Sequence, residues 1–326
     1  MIVNWNRKDL LRACLASLGA QSDVIFETIV VDNGSEDGSA DVAESEFGAR
    51  VIRNRENRGF CAANNQGIAA ARGEFIALLN NDAEAEAGWL AELARACDLR
   101  PDVGMAASKV LVWEDPRRID KAGHLIFPDG QNRGRGAGSL DQGQFDGEEE
   151  VLWPDGCAAM YRKRMLDEIG GFDEDFFAYG DDAELGLRAR IAGWKCVYAP
   201  RAVVRHHRGS TLGKDSGRRL ELIERNRVLL AAKLFPWSLL WLNPLYFAIR
   251  LIAGAVMAGR GEGDTTHFPG VGGKLRILRA LVAGDWQALR LLPRMLRKRS
   301  EVRRRLSPAE VRRLILANRL TLREVA

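Results

Sequence analysis

The stretch Thr28-Ile29-Val30-Val31-Asp32-Asn33-Gly34-Ser35 decides how this chain is read, because four β-branched residues run directly into four polar or turn-forming ones. β-branched side chains favour a pleated strand, and Asp-Asn-Gly ends one in a turn. Two other stretches repeat the pattern: Met1–Asn4 runs into Trp5-Asn6, and Phe75–Leu79 runs into Asn80-Asn81-Asp82. Between them lie helical patterns. Leu10, Leu11, Cys14, Leu15 and Leu18 share one face, and Ala62–Arg72 is rich in Ala and ends at Gly73. Strands alternating with helices predict βαβ units on a parallel sheet. In such sheets ligands gather at the carboxyl ends of the strands, which makes Asn4, Asn6, Asp32, Asn33 and Asn80 to Asp82 candidate binding residues.

Working outward, Gly130 to Glu150 is rich in Gly, Gln and Asp and reads as a long mobile loop. Order resumes over Trp153–Arg164, and Gly170-Gly171-Phe172-Asp173 marks a sharp turn. Asp181–Ala192 reads as a helix with Leu185, Ala189 and Ala192 inward and Glu184 one turn from Arg188. Val197–Val204, which contains Pro200, reads as a short edge strand or an extended segment that delivers His206 and His207.

Charge divides the chain. Residues 1–211 carry 25 Lys and Arg against 35 Asp and Glu, a net −10, while residues 212–326 carry 23 against 9, a net +14. We therefore expect two domains, 1–211 and 212–326, with separate tasks. Five scattered cysteines without a Cys-x-x-Cys pair argue against a disulfide scaffold or zinc ribbon and for a reducing compartment. Met1 runs straight into Ile-Val-Asn-Trp with no basic and apolar leader, so a cytoplasmic location is expected. The 16-residue charge-free run Leu234–Ile249 contains Pro236, Asn243 and Pro244, and Arg250 separates it from Leu251–Gly259. Against the ~20 apolar residues of a membrane span it is a borderline span at best, and spanning, lying on the membrane and packing on the protein all stay open for 234–259.

Several constellations could carry chemistry. Asp32, at a strand end, can accept from a ribose hydroxyl or a base N–H; a turn Asp holding Asn33-Gly34 would look the same. Three side-chain oxygens at Asn80, Asn81 and Asp82 can hold a hard divalent cation and, through it, a diphosphate. Asp82 lies too far from Gly88 to cap the helix expected there. Asp181-Asp182 at a helix start suits the helix dipole, and a carboxylate so placed can also serve as a general base. His206 or His207 could complete a metal shell through a neutral imidazole. Gly209 to Lys214 is one residue short of a phosphate-binding loop, and no Gly-x-Ser-x-Gly or His-Glu-x-x-His motif occurs.

Taken in order, these residues carry a resemblance. Val3-Asn4-Trp5-Asn6, Val30 to Ser35 with Asp37-Gly38, Asn57-x-Gly59-Phe60-x-x-x-Asn64 and Leu78 to Asp82 resemble glycosyltransferase family 2, in its rhamnosyltransferase-like branch. So do Gly170 to Asp173 with Phe176-Phe177, and Asp182-x-Glu184-Leu185-x-x-Arg188. The resemblance runs over about residues 1–211. It implies a GT-A fold, with nucleotide-sugar binding by Asn4, Asn6, Asp32, Asn33, Asn57, Gly59, Asn64, Asn80 and Asn81. It implies a divalent cation, Mg²⁺ or Mn²⁺, held by Asp82 and His206, with His207 equally near in sequence. Asp182 would be the general base, and Trp153, Gly156 and Asp181 would line the acceptor pocket. The implied activity is inverting transfer of a sugar, rhamnose by the branch, from a nucleotide-sugar donor to a lipid-linked or polysaccharide acceptor in bacterial cell-surface glycan synthesis. Asn80 stands where the family has the first Asp of D-x-D, Asp181 where it usually has Glu, and Glu184 where it usually has Asp. The first strand is also shorter than the family's, so the true start could lie upstream of Met1.

The basic half predicts a membrane-surface location, peripheral on the inner face of the cell membrane. Leu275, Leu278, Leu281 and Val282 fall near one helical face, Leu292, Met295 and Leu296 near another, each ringed by Lys and Arg. Basic amphipathic helices are drawn to anionic lipid; packing of these helices on the catalytic domain is the plainer reading. A third possibility, that the Arg-dense segment 294–305 is a module for nucleic acid or another anionic polymer, has no recognition motif behind it, and no nucleic-acid partner is expected.

Overall fold

Apolar runs with unsatisfied backbone groups pair with one another, and the first three do so side by side. β1 (Ile2–Asn4), β2 (Ile29–Asp32) and β3 (Arg50–Arg53) form a parallel sheet in that order, with Asn4 opposite Asp32. α1 (Lys8–Leu18) and α2 (Ser39–Ser45) are their crossovers, and α3 (Phe60–Ala70) follows β3. The computed structural model describes residues 1–207, 216–260 and 270–325. The phosphate-loop look-alike at Gly209 to Lys214 and the domain boundary expected at 211/212 lie outside the described residues.

The rest of the sheet-forming chain departs from the parallel pattern. β4 (Phe75–Leu79), whose Leu79 N–H donates to Met1 O at 3.1 Å, belongs to a second, mixed sheet. This sheet adds β5 (Ala83–Ala85), and after α4 (Trp89–Asp98) it adds β6 (Val103–Val112) and β7 (Ile119–Lys121). A short β8–β9 hairpin follows (His124–Ile126, Asn132–Gly134), then β10 (Glu149–Val151), β11 (Ala158–Arg162), α5 (Lys163–Ile169), α6 (Asp181–Ile191) and β12 (Lys195–His206). The order is β10-β12-β6-β11-β4, with β5 on β12 and β7 on β6. β11 is antiparallel to both β4 and β6. It is reached through short strands and turns instead of a helical crossover, so nothing forces it parallel.

Two expectations are corrected here. The segment 197–204 is not an edge: β12 runs twelve residues in the sheet interior, hydrogen-bonded to β10, β5 and β6. Pro200 falls where the register against β6 shifts between Ala199 and Val203, an irregularity that tolerates its missing N–H. Residues 130–150 are not a featureless loop either. They contain β9 and most of β10, Asp141 N–H donates to Arg117 O at 2.7 Å, and the buried Lys109 ammonium reaches Asp141 and Asp146 at 3.0 and 2.6 Å.

The core lies where α1 and α4 cover the sheets. α1 buries Leu11, Cys14, Leu15 and Leu18, and α4 buries Leu90, Leu93, Ala96 and Cys97.

The chain forms two compact units, Met1–His124 with Gly134–Arg208, and Leu125–Arg133 with Gly209–Ala326. The second is helical: α7 (Gly217–Leu234), α8 (Trp237–Leu240), α9 (Asn243–Gly259), α10 (Gly270–Glu301), α11 (Pro308–Ala317) and α12 (Leu322–Val325). The two amphipathic stretches expected at 275–282 and 289–299 are one helix, α10, with Pro293 inside it. Its buried face is made of small residues, Ala280, Gly284 and Ala288, with Met295. A Cβ on Gly284 would meet Glu221 O of α7 at 2.7 Å, so the glycine permits close approach of the two helices. Leu275, Leu278, Val282, Trp286 and Leu289, spaced three or four residues apart, are exposed instead. Among the described residues no helix is long and apolar enough to cross a membrane.

Candidate active site

The strand ends of the first sheet are tied together by side-chain amides. Asn4, buried at the end of β1, donates to Asp32 Oδ1 at 3.1 Å and Ser35 Oγ at 3.2 Å, and its Oδ1 accepts from Asn81 Nδ2 at 2.7 Å. Asp32 Oδ2 takes the Ser35 N–H at 3.0 Å, which fixes the turn, and Asn6 is tied to the same turn through Ser35 and Glu36. Asn33 donates to Asn57 Oδ1 at 3.1 Å and to Gly59 O at 3.2 Å. These contacts bring Asn4, Asn6, Asp32, Asn33, Asn57, Gly59 and Asn81 into one network. A cavity of about 390 Å³ opens beside it, lined by Asp32, Ser35, Arg53 and Asn54 among others. Asn64 is not tied into the network by its amide N–H: Nδ2 donates to Phe60 O in its own helix at 2.9 Å. Gly59 sits at φ +86° before α3, and a Cβ there would collide with the Phe177 ring.

Asn80, Asn81 and Asp82 fill the turn between β4 and β5; no side chain caps α4. Asn80 N–H donates to Cys157 O at 2.8 Å, which docks the turn on the start of β11. Asp82 Oδ1 is buried without a hydrogen-bond partner and faces His206 Nε2 at 3.4 Å. His206 Nδ1 pairs with Asp120 Oδ2 at 2.8 Å. His207 turns elsewhere and stacks on Trp113 with ring centroids 4.1 Å apart. The geometry therefore brings the imidazole of His206, not that of His207, to the Asp82 carboxylate, while the His207 backbone N–H donates to Asp82 O at 2.9 Å. An orphaned carboxylate oxygen, a facing imidazole nitrogen and a second carboxylate that fixes the ring orientation together fit a divalent cation.

α6 brings Asp181 and Asp182 to its first turn. The chain reaches it through backbone that L side chains rarely adopt, with Phe177 at φ +63°, Tyr179 at +66° and Gly180 at +74°. The expected inward stripe understates the helix, since all eleven of its residues are buried. Its interior charge is paired: Arg188 reaches both Glu184 oxygens at 2.8 Å and donates to the carbonyls of Ile169, Gly170 and Gly171, clamping the glycine turn. Asp182 Oδ1 accepts from Ala183 N–H at 2.8 Å and Oδ2 from Gly156 N–H at 3.2 Å. The side chain keeps 12% of its surface exposed, enough to meet a substrate hydroxyl. Burial pushes both carboxyls up, Asp181 well above the usual range with the Asp182 charge adding to it. Trp153, expected to line the pocket, is fully buried and backs the His124 ring at 5.9 Å.

Sequence reasoning missed Asp120, Lys121, His124 and Asp155. The first three sit on the short strands β7 and β8, where Ile-Asp-Lys and His-Leu-Ile look like any half-exposed hairpin; only the fold reveals that Asp120 and His124 are buried and that the half-buried Lys121 reaches Asp155. His124, Asp155 and Asp182 place possible ligand atoms within 4.8 Å of one another. Lys121 Nζ lies 2.5 Å from Asp155 Oδ2, so one of these ligand atoms is already paired with an ammonium.

Known proteins share this sequence pattern and this fold. The family model described as Glycosyl transferase family 2 matches residues 1–170. The N-acetylglucosaminyl-diphospho-decaprenol L-rhamnosyltransferase of Mycobacterium tuberculosis is 26% identical over 263 residues, covering 74% of this chain and 85% of that one. The uncharacterized protein y4gI of Sinorhizobium fredii is 30% identical over 226 residues, 64% of this chain; the chain spans about a quarter (24%) of that protein's length. Among solved structures, the mannosyltransferase of Pyrobaculum calidifontis in complex with GDP-Man and Mn²⁺ superposes with a TM-score of 0.54 at 18% identity, covering 88% of this chain and 85% of that one. The fold is the GT-A glycosyltransferase fold, and the chain belongs to glycosyl transferase family 2.

Proposed function

We propose that the protein is a metal-dependent inverting glycosyltransferase that moves a sugar, rhamnose by the M. tuberculosis relative, from a nucleotide diphosphate to a lipid-linked or polysaccharide acceptor. The observation that carries this reading is the meeting of Asp82 and His206 beside the amide network of Asn4, Asp32 and Asn81. In it the amide network and the Asp32 carboxylate hold the nucleoside. Asp82 and His206 hold the cation, and Asp120 orients the imidazole. A divalent cation bound there would neutralise charge on the departing diphosphate. Asp182 takes the proton of the attacking acceptor hydroxyl. A diphosphate leaving group needs no proton, so a second carboxylic acid of the glycosidase kind is not required.

Asp82→Ala tests the reading directly. Calorimetry with a panel of nucleoside diphosphates and Mn²⁺ should show cation-dependent binding to the native protein and none to the variant, because Asn80 and Asn81 supply only neutral oxygens. Unchanged affinity would return Asp82 to the turn alone.

The helical unit adds a second element, attachment to an anionic membrane surface. Its support is the exposed apolar stripe of α10 together with Trp237 and Trp241, within a unit whose last 33 residues carry 11 Lys and Arg against 3 Asp and Glu. Arg290 lies over Trp286 and Arg299 over Trp237, at 5.0 and 4.6 Å, a pairing of cation and ring suited to the headgroup level.

A further inference from the structure

Behind Asp182 three side chains that sugar transfer does not itself require form a continuous run of contacts. Lys121 Nζ is 2.5 Å from Asp155 Oδ2, the same oxygen is 2.8 Å from His124 Nε2, and His124 Nε2 is 3.6 Å from Asp182 Oδ2. The two carboxylates are anchored to neighbouring amides, Asp155 Oδ1 to Cys157 N–H at 2.9 Å and Asp182 Oδ2 to Gly156 N–H at 3.2 Å. Their separation is therefore set by the backbone of residues 155–157. The Trp153 ring closes the other side of His124.

Around this run the carboxylates Asp155, Asp181 and Asp182 are all at least nine-tenths buried. The other titratable groups acting on the Asp181/Asp182 pair are the buried Tyr161 of β11 and Cys61 of α3; Glu184 of α6 is already joined to Arg188. Like charges in a dry site cannot all stay ionised unless a cation faces them. Lys121, whose side chain is 23% exposed, supplies that cation, and a half-buried ammonium joined to a buried carboxylate needs a reason to be retained, since an apolar replacement of such a pair is often as stable.

We propose that Lys121, acting through Asp155 and His124, is a positioning residue that holds the Asp182 carboxylate in place and in its charged form. The proposal rests on the assignment of Asp182 as the base. The electrostatics agree: burial raises Asp182, His124 and Lys121 pull it back, and Asp155 pushes it further up. Asp155 itself stays well below the usual carboxylate range despite its burial, chiefly through Lys121.

The two ends of the run then act in opposite directions. Lys121→Met leaves Asp155 uncompensated, so the Asp182 titration should move up by about one pH unit, a tenfold change in proton affinity. Asp155→Asn removes a negative neighbour and frees the ammonium, so the titration should move down by a similar amount. Lys121→Arg should restore the native position. The probe is the ¹³C carboxyl resonance of Asp182 in the full chain, assigned by its loss in Asp182→Asn and followed across pH without substrate. A midpoint unmoved in Asp155→Asn, or moved the same way in Asp155→Asn and Lys121→Met, overturns the proposal. If Lys121→Met does not fold, a downward shift in Asp155→Asn with a native midpoint in Lys121→Arg sustains it. Turnover of nucleotide sugars by Asp182→Asn is measured separately. Retained turnover there would sink the base assignment, whereas a dead Asp182→Asn enzyme with unmoved titrations would sink only the role of Lys121.

Discussion

In the sheet-based unit charge is drawn inward: Asp82, Asp120, Asp155, Asp182 and Glu184 are buried, each beside an imidazole, an ammonium, a guanidinium or a backbone amide. In the helical unit large apolar side chains are turned outward, while α10 buries alanine and glycine against α7. Both arrangements run against the usual preference of side chains for core or water. A buried charge costs several kcal/mol unless it is paired, and a contiguous exposed apolar stripe marks a surface that meets something other than water. On the proposed function the first unit bears that cost for chemistry at Asp82 and Asp182 and for structure at Glu184, and the second bears it for an apolar phase that would cover the stripe.

The sharpest way to break the comparison is to remove charge at Asp182. Asp182→Asn keeps the shape and the Gly156 contact, so folding and nucleotide binding should survive while turnover falls by ~10²–10⁴-fold, the span of a lost general base. A variant that keeps about half its activity would show that Asp182 is buried for structure alone, and Asp181 would become the candidate.

Glu184 and Arg188 supply the contrasting case of buried charge used for structure. Arg188→Ala strands Glu184 and releases the carbonyls of the Gly170-Gly171 turn, so it should lower unfolding free energy by about 3–5 kcal/mol. Replacing both, as Glu184→Leu with Arg188→Met, should recover most of that loss. Thermal denaturation reads both variants, and a double variant no more stable than Arg188→Ala would show that the clamp on the turn matters more than the charge pair.

How much of this was legible in the sequence follows the same division. β1, β2 and β4 were readable because each is a β-branched or aliphatic run that stops at a polar triplet, and the residues after them do converge. The late partner of Asp82 could be narrowed only to two adjacent histidines. Strand alternation places neighbouring side chains on opposite faces, and the sequence does not say which face meets β5. Asp120, Lys121, His124 and Asp155 were invisible because β7 and β8 are three residues each, too short for any period to show. The position of β12 inside the sheet was masked by Pro200, which the bulge accommodates. In the helical unit the stripe of α10 was readable as a period, but the pattern alone could not say that the small residues would take the inward face.

Flotation sharpens the other half of the comparison. The full chain should float with vesicles rich in anionic lipid at low salt and much less with neutral vesicles or at high salt. Each basic residue near such a surface contributes ~1 kcal/mol before screening. Binding indifferent to lipid charge and salt would refute the electrostatic part of the attachment.

The smallest expected effect is the most discriminating. Leu278 is 56% exposed, in the stripe formed with Leu275, Val282 and Trp286. If that stripe faces water or lipid and not protein, Leu278→Glu changes nothing in the folded core, and stability should stay within about 0.5 kcal/mol of the native chain. Flotation should nevertheless fall, because the substitution puts a carboxylate into the apolar band and repels anionic headgroups. Gly284→Ala, on the opposite face of the same helix, should do the reverse. Its added methyl presses on the α7 backbone at Glu221 and Arg225, and overpacking of this kind costs about 1–3 kcal/mol. If Leu278→Glu instead destabilises the unit as much as Gly284→Ala, the stripe is covered by protein in solution, and the outward apolar face is an interface between chains.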